Sequence, residues 1–183
     1  MQRKATKAEV LEAFRSRLRD VCPGCAKTGQ CFISDQPVPE GELFPSISHF
    51  VTVSAGAGSF DQSMFVGGGA ATLNQDFQLV VTPIVQMNLD RLPAAEKRML
   101  HISRGLTTWE QNILSSILLD NPNNPNSVRP WDPEFGDRKL LRNLPMPVHT
   151  SDVFDVPNQL GYSGISITFS VSFDWRLGIV TPS

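Results

Sequence analysis

The stretch Ile165-Ser-Ile-Thr-Phe-Ser-Val-Ser-Phe-Asp-Trp-Arg-Leu177 decides the fold. Its odd positions are apolar: Ile165, Ile167, Phe169, Val171, Phe173, Trp175 and Leu177. Its even positions are polar: Ser166, Thr168, Ser170, Ser172, Asp174 and Arg176. Successive strand residues point to opposite faces, so this is a β-strand with one greasy and one wet face. A strand wet on one side belongs to an antiparallel or mixed sheet. Burying its seven apolar side chains is worth on the order of 10–20 kcal/mol gross. At ~3.3 Å per residue it spans about 43 Å, far longer than an ordinary strand. It must bend at a bulge or reach beyond its own domain, and an end near Trp175 and Leu177 that overruns its sheet needs apolar cover from a neighbouring subunit.

Working outward, Ile47 to Ser54 reads as a strand, with His49, Val51 and Val53 on one side and Phe50 on the other. His49 is most simply a half-buried strand residue. Thr72 to Leu89 reads as a second long strand, with Leu73, Phe77, Leu79 and Val81 on one face. Pro83 cannot donate to a ladder and predicts an edge or bulge there. Ile84 and Val85 are both apolar, which predicts a shift of parity.

Thr6 and Glu9 form a capping box ahead of Val10, Leu11, Phe14, Leu18 and Val21, so a helix runs over about 7–21. Pro93 starts a short helix over 92–101. A second capping box, Thr107 to Glu110, opens a helix over about 108–119, with Trp109, Ile113, Leu114, Ile117 and Leu118 as its stripe. These elements predict one α+β domain over 1–183: a curved, mainly antiparallel sheet with helices on one face and long loops over about 55–71 and 121–161. The second of these loops holds seven prolines, with short strands expected near 140–144 and 153–156. The Gly- and Ala-rich stretch 55–71 carries Phe60, Met64 and Phe65, which either cover the core or dock on another subunit.

Charge is distributed unevenly. The 183 residues carry a net charge of −2, six Lys or Arg lie within residues 1–19, and residues 28–90 contain neither. That stretch carries Asp35, Glu40, Glu42, Asp61, Asp76 and Asp90. It is either a lightly charged β region or a surface that must not attract a polyanion. No apolar run approaches the length of a membrane helix, and no signal peptide is visible.

Chemical motifs are sparse. Cys22-Pro23-Gly24-Cys25, with Cys31 six residues on, invites a zinc or redox reading. The pair follows a helix rather than starting one, and structural zinc wants four ligands where three cysteines exist. Incidental thiols in a turn are the simpler account. Gly161-Tyr162-Ser163-Gly164 has the wrong spacing for a nucleophile elbow. Gly56-Ala57-Gly58 lacks the third glycine and the helix of a dinucleotide fingerprint. His49, His101 and His149 are dispersed. No catalytic residue, metal ligand or cofactor site is assigned, and the chain reads as a non-enzyme.

The order of elements, carried by Val10 to Val21, Ile47 to Ser54, Leu73 to Leu89, Trp109 to Leu119 and Ile165 to Leu177, resembles the tail terminator (tail completion) family of tailed bacteriophages and related minor tail and neck proteins. The resemblance implies a homo-oligomeric ring, usually a hexamer, that caps the tail tube at its head-proximal end. The implied partners are tail-tube and neck or head-completion proteins, and DNA passes through without specific binding. The implied location is the virion, after synthesis in the host cytoplasm. On this reading Phe60, Met64, Phe65, Trp175 and Leu177 contact a neighbouring subunit or partner, and Asp35, Glu40, Glu42, Asp61 and Asp76 line an acidic lumen that would not hold DNA. The alternatives are another phage minor tail protein, or a small cysteine-dependent zinc or redox protein.

Overall fold

A computed structural model describes residues 5–26, 30–38, 49–60, 72–86, 105–124, 126, 129–135, 138–157, 159 and 161–176. In chain order the elements are α1 (Lys7–Val21), β1 (Cys31–Ile33), β2 (His49–Phe60), β3 (Thr72–Gln86), α2 (Leu106–Leu118), β4 (Glu134–Phe135), β5 (Arg138–Lys139), β6 (Met146–Thr150), β7 (Phe154–Asp155), β8 (Tyr162–Gly164) and β9 (Ile167–Arg176). Among the described residues, seven strands form one open, mixed, mostly antiparallel sheet, and β4 and β5 form a separate small ribbon. The class is α+β, as the alternation predicts.

β3 is central. It pairs antiparallel with β2 on one side and with β9 and β8 on the other. The register does not change from β9 to β8: Val81 faces Ile167 and Ile84 faces Gly164, three residues further along each chain. Residues 162–176 are therefore one long strand interrupted at Ile165 and Ser166. The interruption lies opposite Pro83. Val51, which faces Pro83, donates its N–H to Gln30 O at 2.7 Å, away from β3. Pro83 therefore turns its own backbone groups toward the β8–β9 side, where its carbonyl accepts from Ile165 N at 3.4 Å. The proline nitrogen falls in the gap between the two ladders. Pro83 is thus not at an edge: the central strand tolerates it because the neighbouring ladder is broken at that point.

Strand alternation sorts the core. On one face lie Val51 and Val53 of β2, Phe77, Leu79, Val81 and Val85 of β3, and Ile167, Phe169, Val171 and Phe173 of β9. Both helices cover this face, α1 with Val10, Phe14 and Leu18, α2 with Leu106, Trp109, Ile113 and Ile117. The opposite face carries a smaller cluster of Phe50, Ile84, Val156 and Tyr162, joined by Phe32, Val38 and Phe154. Ile84 and Val85 are both apolar because they enter different cores, with no change of parity.

The helix ends differ from each other. At α1 the capping box forms as read, with Glu9 N donating to Thr6 Oγ1 at 3.2 Å and Thr6 N donating to Glu9 Oε2 at 2.7 Å. At α2 it does not: the helix begins at Leu106, Gly105 is the N-cap, and no side chain caps it. The early start places Thr107 and Thr108 inside the first turn, where neither is the cap residue. Arg17 joins the helices, donating to Ser116 O at 2.9 Å, Leu119 O at 2.6 Å and Asp120 O at 2.7 Å. Those are carbonyls at the end of α2 that have no partner within the helix.

Other boundaries shift. β2 does not stop at Ser54; it continues through Ala55 to Phe60 with a bulge between Ala55 and Gly58. Small residues there let the strand bend, since a Cβ on Gly58 would sit 2.9 Å from Asp76 O. Within 121–161 the described residues form four short strands where two were expected: β7 falls inside the expected 153–156, whereas 140–144 is no strand, since β5 ends at Lys139 and β6 begins at Met146. The expected helix over 92–101 lies outside the described residues.

Candidate functional site

The residues assigned to an interface distribute as follows. Phe60 ends β2 rather than sitting in a loop, and its side chain is 47% exposed. Trp175 is in β9, paired with Leu73. Met64, Phe65 and Leu177 lie outside the described residues, as do Glu40, Glu42 and Asp61 of the acidic set. Asp35 and Asp76 are both exposed. Asp76 alternates with the core residues Gln75 and Phe77, so it projects from the face opposite the helices. Asp35 lies on the segment that crosses that same face, where Thr52 Oγ1 donates to Pro37 O at 2.6 Å. Two acids are therefore placed on the side away from the helices.

An exposed apolar strip was missed at the sequence level. Met146 is 62% exposed and Val148 59%, and Leu144 and Val153 are also exposed. Among the described residues, β6 pairs only with β9 and β7 only with β8, so this strip runs along a free edge of the sheet. Pro147 lies at a register shift between Pro147 and His149. Proline and a bulge on an edge strand discourage indiscriminate strand pairing. The prolines Pro145 and Pro147 made the stretch read as loop, yet Met146, Val148 and Thr150 alternate with Pro147 and His149, which is a strand signal. Large exposed apolar side chains on an edge strand are a feature that protein-contact surfaces share.

On the helix side, a groove of about 620 Å³ runs between α1 and residues 129–134. Glu12, Asp20, Asp120, Asp132 and Glu134 ring it. Two arginines also line it, Arg17 and Arg129; Arg17 is engaged by the α2 carbonyls and lies over the Trp131 ring at 5.4 Å. Burial draws the Arg17 guanidinium below its ordinary value, against the pull of Asp120 and Asp20.

The thiols gather where α1 ends. Cys22 is the C-cap, Cys25 N donates to Cys22 O at 3.1 Å, and Gly24 has φ +87°. Pro23 and Gly24 at the two central positions make a type II turn, whose third residue needs positive φ. A Cβ on Gly24 would also stand 2.9 Å from Trp109 Cη2. His49, half-buried as read, packs at 5.4 Å on Trp109, and its Nε2 lies 3.2 Å from Gly24 O and 3.1 Å from Gln30 Nε2. Cys22, Cys25 and Cys31 are all free and buried. Hydrogen bonds to Cys22 and Cys31, with burial, push the Cys25 thiol far above the ordinary thiol range. The bond from Cys25 draws Cys22 below it, against burial. Among the described residues no group of three or more His, Cys, Asp or Glu side chains is arranged to hold a metal ion.

No family model matches this chain, and a search of curated proteins finds no match. No helix among the described residues is long and apolar enough to cross a membrane.

Proposed function

We propose that this chain is a structural subunit of a homo-oligomeric ring at the head-proximal end of a phage tail, a tail terminator or neck component. The observation that carries this reading is the open sheet with its apolar edge along β6 and β7, which no further strand covers among the described residues. Such an edge suits a subunit whose job is to be joined, and Phe60, at the far end of β2, adds a second exposed apolar contact. The acids support the same reading. Asp35 and Asp76 lie on the side opposite the helices, and a face turned to passing DNA works best without phosphate-binding cations. On this reading the ring holds neighbouring subunits and tail proteins through apolar strips, and its lumen repels DNA weakly.

Multi-angle scattering on the purified chain, alone and mixed with tail-tube protein, tests the proposal. A discrete oligomer is expected, and Met146→Glu with Val148→Glu should convert it to monomer while leaving the circular dichroism spectrum unchanged. A strict monomer at every concentration, with and without tail-tube protein, would sink the ring.

A further inference from the structure

The thiol turn stands apart from the assembly surface and carries chemistry of its own. Cys22 and Cys25 are residues one and four of a turn closed by the Cys25 N to Cys22 O hydrogen bond of 3.1 Å. In such a turn the end Cα atoms lie within about 7 Å, and a disulfide spans Cα separations of about 4.4–6.8 Å. The turn is at the surface: Pro23, Gly24 and Ala26 are exposed, while the two thiols between and beside them point inward. The sheet does not include this turn, and surface turns open at small fractions of the global free energy. The third thiol also receives a hydrogen bond from Cys25, but it lies outside the turn, in a strand. Cys31 lies in β1, its Sγ is 4.0 Å from Arg15 O, and its carbonyl accepts from Arg19 Nε at 3.1 Å and Nη2 at 2.7 Å.

We propose that Cys22 and Cys25 form a redox-active pair that takes low-molecular-weight disulfides of the glutathione class as its oxidant, and that Cys31 is not a partner in the bond. The Cys22 thiolate attacks one sulfur of the small disulfide, forming a mixed disulfide and releasing one thiolate. Cys25 gives its proton to solvent and attacks the Cys22 sulfur, which breaks the mixed disulfide and releases the second small thiol. The protein loses two electrons and two protons, and one small disulfide becomes two thiols. The assignment of roles follows position: Cys22 is 3% exposed and Cys25 0%, so the Cys22 sulfur is the one a small disulfide reaches first, and the hydrogen bond it receives from Cys25 favours its thiolate. The proline and glycine between the cysteines already hold the turn, so the bond forms without rearranging α1.

The test is incubation of the native chain with oxidised glutathione, acid quench, alkylation under denaturing conditions, and peptide mass spectrometry. Wild type should lose two alkylatable thiols, with the linkage mapped to Cys22 and Cys25. Cys31→Ser should behave as wild type in that linkage. Cys25→Ser should stop at one glutathione attached to Cys22. Three thiols still alkylatable after treatment of wild type, or a bond that includes Cys31, would overturn the assignment. The wild-type measurement decides even where a variant fails to fold.

Discussion

Val51 and Val53 of β2 pack beneath two helices, in a core that includes Phe14, Trp109 and Phe169. On the other side of the same strand, Thr52 and Ser54 are as completely buried as the valines, both at 0% exposure. One face of the sheet is thus mainly apolar, and the other is lined in part by hydroxyls beneath an irregular segment. The difference lies in what covers them. Helices satisfy their own backbone hydrogen bonds and offer only apolar side chains to the sheet. Residues 34–38 form no strand or helix, and irregular backbone brings carbonyls that need donors. Thr52 provides one to Pro37 O.

The largest expected effect separates the two cores. Phe169 is fully buried and meets Phe14 edge-on at 6.2 Å. Phe169→Ala should lower unfolding free energy by about 3–5 kcal/mol in urea titration. Phe50→Ala, in the smaller cluster, should cost at least about 1 kcal/mol less, because a thin irregular cover can collapse into the space. Equal losses would mean that the two faces contribute equally and the contrast is only one of composition.

Next in size is the helix layer. Arg17→Ala removes three charge-assisted hydrogen bonds to the end of α2. A loss of about 1–3 kcal/mol is expected, since water reaches part of the site and takes over some of those carbonyls. Arg17→Lys should recover little, because an ammonium lacks the fork that spans several carbonyls. Full rescue by lysine in thermal melts would reduce the contact to simple charge.

Much of this was legible in the sequence, and the reason is periodicity. The alternation in 165–177 named the face that Ile167, Phe169, Val171 and Phe173 bury, and the Val10, Phe14, Leu18 spacing named the face of α1. Both signals are repeated several times within one element. The second face was not legible. Its cover comes from single residues, Phe32, Val38, Phe154 and Val156, scattered over short strands and connections. Pro83 misled for a related reason: a proline reports a missing donor, but only the neighbouring strand tells whether a donor was wanted there. The strip at Met146 and Val148 was hidden by the prolines beside it. In the sequence the thiols read as incidental or as part of a turn, but the type of that turn needed the φ of Gly24, and the convergence of Cys31 on it depends on β1, which no local pattern announced.

A smaller effect is expected at Thr52. Thr52→Val keeps shape and removes the hydroxyl, leaving Pro37 O without that donor. A loss of about 1–2 kcal/mol should follow in denaturant titration, the penalty of one buried unpaired acceptor. No loss would imply that water reaches Pro37 O once the hydroxyl is gone, and that the cover over this face is loose.

The smallest effect has the opposite sign. Ser54, two residues on, is buried as deeply as Thr52, yet its Oγ has no hydrogen-bond partner among the described residues. Burying a hydroxyl without a partner is unfavourable. Ser54→Ala removes that oxygen and leaves a space smaller than a methyl group would need to pack badly. The two contributions favour the alanine, so stability should rise by up to about 1 kcal/mol, read as a higher urea midpoint at unchanged slope. Paired with Thr52→Val, this makes a test internal to one face of one strand: two buried hydroxyls, two removals, opposite signs. If both variants lose stability, Ser54 is held by an ordered water, and the second face is a hydrated layer rather than a second core. If both gain, the bond to Pro37 O contributes less than the desolvation of its donor, and apolar contacts alone hold residues 34–38 against the sheet.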